Sequence, residues 1–157
     1  ASFKDWALHL TGSAAVTDFK DEIAFWQREL STAPNTLRYD HEQGPNDVAS
    51  SAMLRVELDE ETTGRLLRDA HKTYHTEVND LLLTALMRAL AAWNGDERVL
   101  FNLEGHGRED GPDISRTVGW FTTLYPVSVT LPRVDDPGDC LKIVKETLSR
   151  IPQHGLR

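Results

Sequence analysis

The sequence predicts a single domain of mixed helices and strands, with about five helices and at least three strands indicated by its apolar periodicity. Apolar residues recur at helical spacing in several segments, whereas shorter segments alternate apolar and polar residues as half-buried strands do. The two kinds of segment are interleaved, which favours an α+β or α/β layer packing over a helical bundle. The chain of 157 residues is long enough to bury one core. The strands are few for the number of helices, which indicates that part of the sheet is missing.

Two amphipathic helices are predicted near the N-terminus. The first spans residues 2–15, and the second is capped by Thr17 or Asp18 and runs to about the thirtieth residue. Their apolar stripes contain Trp6 and Trp26. We interpret both indole rings as core anchors rather than ligand contacts.

The middle of the chain begins with a long connection, residues 31–51, rich in Pro, Asn, Gly, Asp and Gln. Its histidine, His41, is expected to be an ordinary exposed side chain. Residues 52–58 then alternate apolar and polar side chains, which predicts a half-buried strand. Asp59 is predicted to cap the next helix, because acidic residues fill the turn that follows it.

The strongest helical pattern spans residues 77–93. Its apolar stripe is broad, so we predict a helix buried on several sides. Thr76 is the predicted cap, and Asn94-Gly95 is predicted to end the helix. His71 and His75 precede it one helical turn apart, but no Glu or Cys completes a ligand set, and we predict no metal site.

Two further strands are predicted at residues 98–104 and 123–131, on either side of a loop. Pro126 indicates that the second of them is an edge strand or is bulged. Asp136-Pro137 is predicted to start a last helix. Cys140, in that helix, is interpreted as a small core residue rather than a reactive thiol.

The greatest density of reactive side chains lies at the end of the 98–104 strand. Glu104, His106 and Arg108 alternate with glycines, and all three project to one side if the chain stays extended. The glycines leave the other side uncluttered or let another backbone approach closely. Two interpretations remain open, an ion-pair network or a general acid/base carboxylate. Under the second, His106 and Arg108 are expected to orient backbone and loop rather than contact the Glu104 carboxylate.

Two long motifs surround this carboxylate, Glu104-Gly105-His106-Gly107-Arg108-Glu109 and Arg116-Thr117-Val118-Gly119-Trp120-Phe121-Thr122-Thr123-Leu124-Tyr125-Pro126. Together they closely resemble the signatures of epimerization domains of nonribosomal peptide synthetases, in that family's order and spacing. Shorter similar stretches are Ser2-Phe3-Lys4-Asp5-Trp6-Ala7, Asn79-Asp80-Leu81-Leu82-Leu83-Thr84-Ala85-Leu86 and Arg150-Ile151-Pro152-Gln153-His154-Gly155. The resemblance therefore covers the whole chain.

The resemblance implies a chloramphenicol-acetyltransferase-like fold, in which two lobes surround a tunnel. It also implies a reaction in which the α-carbon of an aminoacyl or peptidyl thioester loses and regains a proton, so that L and D forms interconvert. The position of Glu104 is the family's catalytic acid/base. Its counterpart in the family is the second histidine of an HHxxxDG motif in the first lobe.

This sequence contains no HHxxxDG motif. Residues 1–157 are therefore expected to form a partial epimerization domain, from the end of the lobe junction through most of the second lobe, and to be inactive alone. The implied partners are the missing first lobe and a peptidyl carrier protein, whose 4'-phosphopantetheine arm carries the substrate. No cofactor is expected to bind the chain directly.

Trp120 and Tyr125 are the remaining site candidates. Trp120 either packs at a turn or lines the substrate tunnel, and Tyr125 either lines the tunnel or belongs to the core. Two other functions are weighed against epimerization: a condensation domain that forms peptide bonds, and a non-catalytic half-domain that binds carrier protein. Condensation domains are not expected to carry the motif that begins at Glu104.

Composition excludes several partners. The formal net charge of -8 makes a nucleic-acid partner unexpected, because no basic patch offsets it. The sequence holds no apolar run of the length that a membrane-spanning helix needs. A single cysteine fits a reducing compartment, so a cytoplasmic location is expected.

Overall fold

The computed structural model describes residues 1–31, 37–41, 43–45, 47–108, 111–132 and 136–155, without the side chains of His71, Thr73 and His154. The helices are α1 Phe3–Val16, α2 Lys20–Glu29, α3 Glu60–Arg68, α4 Ala70–Tyr74, α5 Val78–Asn94 and α6 Pro137–Ser149, with 3-10 turns at Val48–Ser50 and Pro152–Gly155. The strands are β1 Arg98–Gly105 and β2 Thr123–Thr130, which pair with each other. None of these helices is long and apolar enough to cross a membrane.

The chain forms two compact units. The first contains Ala1–Pro34, Leu100–Ser128 and Thr147–Arg157, and the second contains Asn35–Val99 and Val129–Glu146. In the first unit, Trp6, Ile114 and Phe121 form a buried cluster, in which the Trp6 and Phe121 rings meet edge to face at 6.0 Å. The prediction that Trp6 is a core anchor is therefore confirmed. Trp26 is only half-buried, so its prediction as a second anchor is wrong.

The starts of the helices follow from short-range hydrogen bonds. Ser2 caps α1, where the backbone NH of Ser2 donates to Asp5 Oδ2 at 2.8 Å and lowers the pKa of that carboxyl. Asp59 caps α3 as predicted, accepting from the NH of Thr62 at 2.7 Å. The N-cap residue of α2 is Phe19, which makes no side-chain cap bond. Asp18, one of the two predicted caps, nevertheless accepts from the NH of Lys20 at 3.1 Å.

The C-terminal end of α5 was predicted more accurately than its start and its burial. Gly95 ends it in the left-handed conformation with φ of 69°, as predicted. It begins at Val78 rather than after a Thr76 cap, and Thr76 Oγ1 is buried without a hydrogen-bond partner in the described part of the chain. Its buried face contains Leu83 and Met87.

Two apolar surfaces of the second unit are uncovered. The predicted apolar stripe of α5 remains exposed at Leu82, Leu86 and Trp93, so the prediction of a helix buried on several sides is wrong. The predicted strand at residues 52–58 is also wrong: it has no paired neighbour among the described residues, and Leu54 is 90% exposed. A strand and an apolar helix face both need a partner surface to be buried.

The last helix forms as predicted. Asp136 Oδ1 accepts from the NH of Gly138 at 2.6 Å, and Pro137 opens α6. Cys140, Leu141 and Val144 are buried on its inner side. Cys140 is therefore the core residue that the sequence predicts. The side chain of His71 is not described, so the absence of a metal site there stays a prediction.

Candidate active site on the β1–β2 sheet

The two strands run antiparallel in a fixed register. At the start of β1, the NH of Leu131 donates to the carbonyl of Glu97 at 2.7 Å. Beyond the end of β1, Gly107 lies against the carbonyl of Phe121, just before β2. The stretches from Glu97 to Gly107 and from Phe121 to Leu131 are equally long, so the ladder between them needs no bulge.

This register gives the sheet one covered and one open face. On the covered face, β2 buries Tyr125, Val127 and Val129. On the open face, Glu104 lies opposite Leu124, and both side chains are exposed.

The same register explains why a proline is tolerated in β2. Pro126 lies opposite Asn102 in a pair that exchanges no backbone hydrogen bonds, because hydrogen-bonded pairs alternate with non-bonded ones from Glu97–Leu131 onwards. The position of its missing NH therefore faces away from β1. In the described part of the chain, the sheet has only these two strands, so β2 is an edge strand as Pro126 predicts.

Glu104 presents an unengaged carboxylate on the open face. It makes no hydrogen bond or ion pair with the residues that the structure describes, which disfavours the ion-pair interpretation. Asn102 precedes it on the same face and is also exposed. A carboxylate without a competing cation can accept a proton from a group placed over the sheet.

Arg108 is directed away from this carboxylate. The extended conformation ends at Gly105, so the condition under which Arg108 would project beside Glu104 is not met. Arg108 contacts the loop instead of the Glu104 carboxylate, as the acid/base interpretation expects. Its guanidinium donates to the carbonyl oxygens of Ile114, Thr117 (3.0 Å) and Gly119 (3.4 Å). The guanidinium carbon also lies 4.0 Å from the centre of the Phe121 ring.

His106 and Gly107 form the turn that redirects the chain. The backbone NH of Arg108 donates to His106 Nδ1 at 3.1 Å. Gly107 has a φ of 64° and is buried against Phe121. Of the two roles predicted for the glycines, Gly107 therefore has the close backbone approach. Glu109 lies outside the described residues.

The loop before β2 is fixed by its own hydrogen bonds. Asp113 Oδ1 accepts from the NH of Ser115 at 3.0 Å and from its hydroxyl at 2.7 Å. These bonds hold the pKa of the Asp113 carboxyl below its ordinary value. Together with Arg108, they order the segment that leads to Phe121.

The two aromatic site candidates, Trp120 and Tyr125, differ in their exposure to solvent. Trp120 is 81% exposed and does not pack at a turn, which corrects one of its two interpretations. Tyr125 is buried on the covered face, where its ring packs on Gly155. Of the two interpretations of Tyr125, its position favours core packing, because Glu104 lies on the opposite face.

The alternation of apolar and polar residues in the sequence places Asn102 on the same side of the strand as Glu104, and β1 has this arrangement. Leu124 is found only from the strand register, because no local pattern states which β2 residue lies opposite Glu104.

Replacing Arg108 with methionine is expected to lower the free energy of unfolding by about 1.5–3 kcal/mol, the usual worth of hydrogen bonds from a charged donor. Methionine keeps the aliphatic packing on Phe121 but donates to none of the three carbonyls. Urea denaturation measures the change. Arg116→Met is the matched control, because Arg116 is exposed and has no partner in the described residues. Equal stability of the two variants would contradict the assigned contacts.

Comparison with known proteins adds a family context. A family model described as the condensation domain matches residues 1–156. The chain is 40% identical over 159 residues to bacitracin synthase 3 of Bacillus licheniformis, covering 99% of this chain and 2% of that protein. It is 39% identical over 159 residues to gramicidin S synthase 1 of Brevibacillus brevis, covering 99% of this chain and 14% of that protein.

Solved structures give the same context. The epimerization domain from the third module of tyrocidine synthetase B superposes with a TM-score of 0.87 at 39% identity, over 98% of this chain and 35% of that one. The first condensation domain of the CDA synthetase matches in fold, with a TM-score of 0.72 at 16% identity, over 94% of this chain and 32% of that one. These matches confirm the predicted chloramphenicol-acetyltransferase-like α+β fold and the resemblance to epimerization domains. The chain spans about a third of either solved domain.

Proposed function

The chain belongs to the condensation-domain family, and we propose that it is part of an epimerization domain in a nonribosomal peptide synthetase. The observation that carries this proposal is the unengaged carboxylate of Glu104, on an open sheet face and at the head of an epimerization-type motif. The likeness to a solved epimerization domain supports it, because both identity and TM-score exceed those of the condensation domain compared above.

The proposed reaction moves one proton at a time. The Glu104 carboxylate takes the proton from the α-carbon, and the electron pair of the broken C–H bond moves into the thioester carbonyl to give an enolate. A second acid on the other face of the α-carbon then donates a proton and restores the carbonyl with inverted configuration. Each group ends in the protonation state from which it catalyses the reverse reaction.

Substrate and partners follow from the same proposal. The substrate is an aminoacyl or peptidyl group carried as a thioester on the 4'-phosphopantetheine arm of a peptidyl carrier protein. We propose that the second acid is the imidazole that the resemblance to epimerization domains implies, in the HHxxxDG motif of the first lobe, a motif that residues 1–157 do not contain. We therefore propose that residues 1–157 carry one half of a two-base site and are inactive alone.

A peptide-bond-forming condensation domain is the second candidate, and the description of the matching family model favours it. Such a domain joins two carrier-bound groups and has no need of a base at the α-carbon. The third candidate, a half-domain that only binds carrier protein, predicts association without any change in the bound thioester.

Deuterium incorporation distinguishes these candidates. An intact domain that includes this chain is given two carrier proteins, each loaded with an L-aminoacyl group so that both a donor and an acceptor are present, in deuterated buffer. Epimerization predicts one deuterium at the α-carbon and a growing D fraction, read by mass spectrometry and chiral chromatography after thioester cleavage. The two loaded carrier proteins without the domain are the control. An amide product without α-deuterium contradicts the proposal and favours condensation, and carrier binding without either product favours the half-domain.

A further inference from the structure

We propose that Asn102 is a second catalytic contact, whose side-chain amide donates a hydrogen bond to the thioester carbonyl oxygen while Glu104 takes the α-proton. This inference rests on the proposed function and extends it to a residue outside the Glu104 motif. A general base removes the α-proton but does not stabilise the negative charge that develops on the enolate oxygen. The Asn102 amide would supply that stabilisation.

Position is the first support. Asn102 and Glu104 are separated by one residue on β1, so both side chains project from the same face about 6.6 Å apart along the strand. The α-carbon and the carbonyl carbon of a thioester are directly bonded. One bound thioester can therefore reach both side chains.

The state of the amide is the second support. Asn102 is exposed and makes no hydrogen bond with the residues that the structure describes. Across the sheet, Leu124 lies opposite Glu104 and Pro126 lies opposite Asn102, so the polar pair is flanked by an apolar pair. Apolar neighbours strengthen a hydrogen bond to a developing charge once substrate excludes water.

The chemistry favours a neutral donor at this position. A cation beside Glu104 stabilises its ionised form and weakens it as a base, whereas an amide NH2 supplies a hydrogen bond without a full charge. The nearest cation in sequence, Arg108, is held by three loop carbonyls. Asn102 is therefore the neutral polar side chain next to Glu104 on β1 that can serve the enolate oxygen.

A pair of substitutions tests the donor itself. Thr and Val have nearly the same shape and both favour strands, but only Thr carries a hydroxyl donor. In the intact domain, Asn102→Val is expected to lower the rate constant of α-deuterium incorporation by about 10²–10³-fold, as loss of one oxyanion donor does. Asn102→Thr is expected to retain about ten times more activity than Asn102→Val, with an unchanged KM for the loaded carrier protein.

The outcomes separate this inference from the proposed function. Equal rates for the Thr and Val variants, whether near the original rate or equally reduced, would overturn the donor role of Asn102. If the original domain exchanges the α-proton and these variants do so equally, only this inference fails. If the original domain does not exchange it, the proposed function fails as well. Gln27→Ala is the control for loss of an exposed amide elsewhere in the same unit.

Discussion

Glutamine in place of Glu104 is expected to slow α-deuterium incorporation by about 10²–10⁴-fold, the usual contribution of a positioned general base. The amide keeps the size of the side chain but cannot accept the α-proton. Because Glu104 is exposed and has no partner among the described residues, its replacement is not expected to change the free energy of unfolding. Rate and stability are measured on the same intact domain.

Aspartate at the same position refines this prediction. It retains the carboxylate but withdraws it by one methylene, so its rate is expected to fall between those of Glu and Gln. Glu57→Gln is the matched control, because Glu57 is exposed and its ion pair with Arg55 is exposed as well. Undiminished exchange in Glu104→Gln would remove Glu104 from the mechanism and leave the family assignment intact.

The features that could be predicted from the sequence are those that depend on near neighbours in the chain. Asp59 and Asp136 cap their helices because the NH groups they accept from lie two or three residues away. The left-handed Gly95 ends α5 for an equally local reason. The alternation of apolar and polar residues in β1 is equally local, and Glu104 lies on its exposed face.

The predictions that failed depend on partners distant in sequence or outside the described residues. Residues 52–58 have the alternation of a strand, but alternation supplies no neighbouring strand to pair with. The α5 stripe that includes Leu82 and Leu86 is exposed for the same reason. Both segments have the expected apolar pattern, but the described residues supply no partner surface that would bury them.

At the candidate site, one backbone angle decides where Arg108 points. Period-two extrapolation carried Arg108 to the side of Glu104, but Gly107 turns the chain with a φ of 64°. Arg108 then reaches the carbonyl of Thr117. The glycine was predicted to allow a close backbone approach, and the direction in which it turned the chain was not predictable from spacing.

Alanine at Gly107 is expected to lower the free energy of unfolding by about 2–5 kcal/mol. The left-handed conformation costs a non-glycine residue about 1–2 kcal/mol, and overpacking adds about 1–3 kcal/mol. The overpacking arises because a Cβ at this position runs into the backbone carbonyl of Phe121, which no side-chain rotation relieves. The midpoint of urea denaturation measures the loss.

Gly12→Ala is the control for the general effect of removing a glycine. Gly12 lies inside α1 and a Cβ there meets nothing within 4 Å, so alanine is expected to stabilise the helix by about 0.5–1 kcal/mol. Opposite signs at the two glycines would locate the constraint in the junction between Gly107 and Phe121. A Gly107→Ala variant as stable as the original would mean that this junction relaxes, and the carbonyls that hold Arg108 would then be free to move with it.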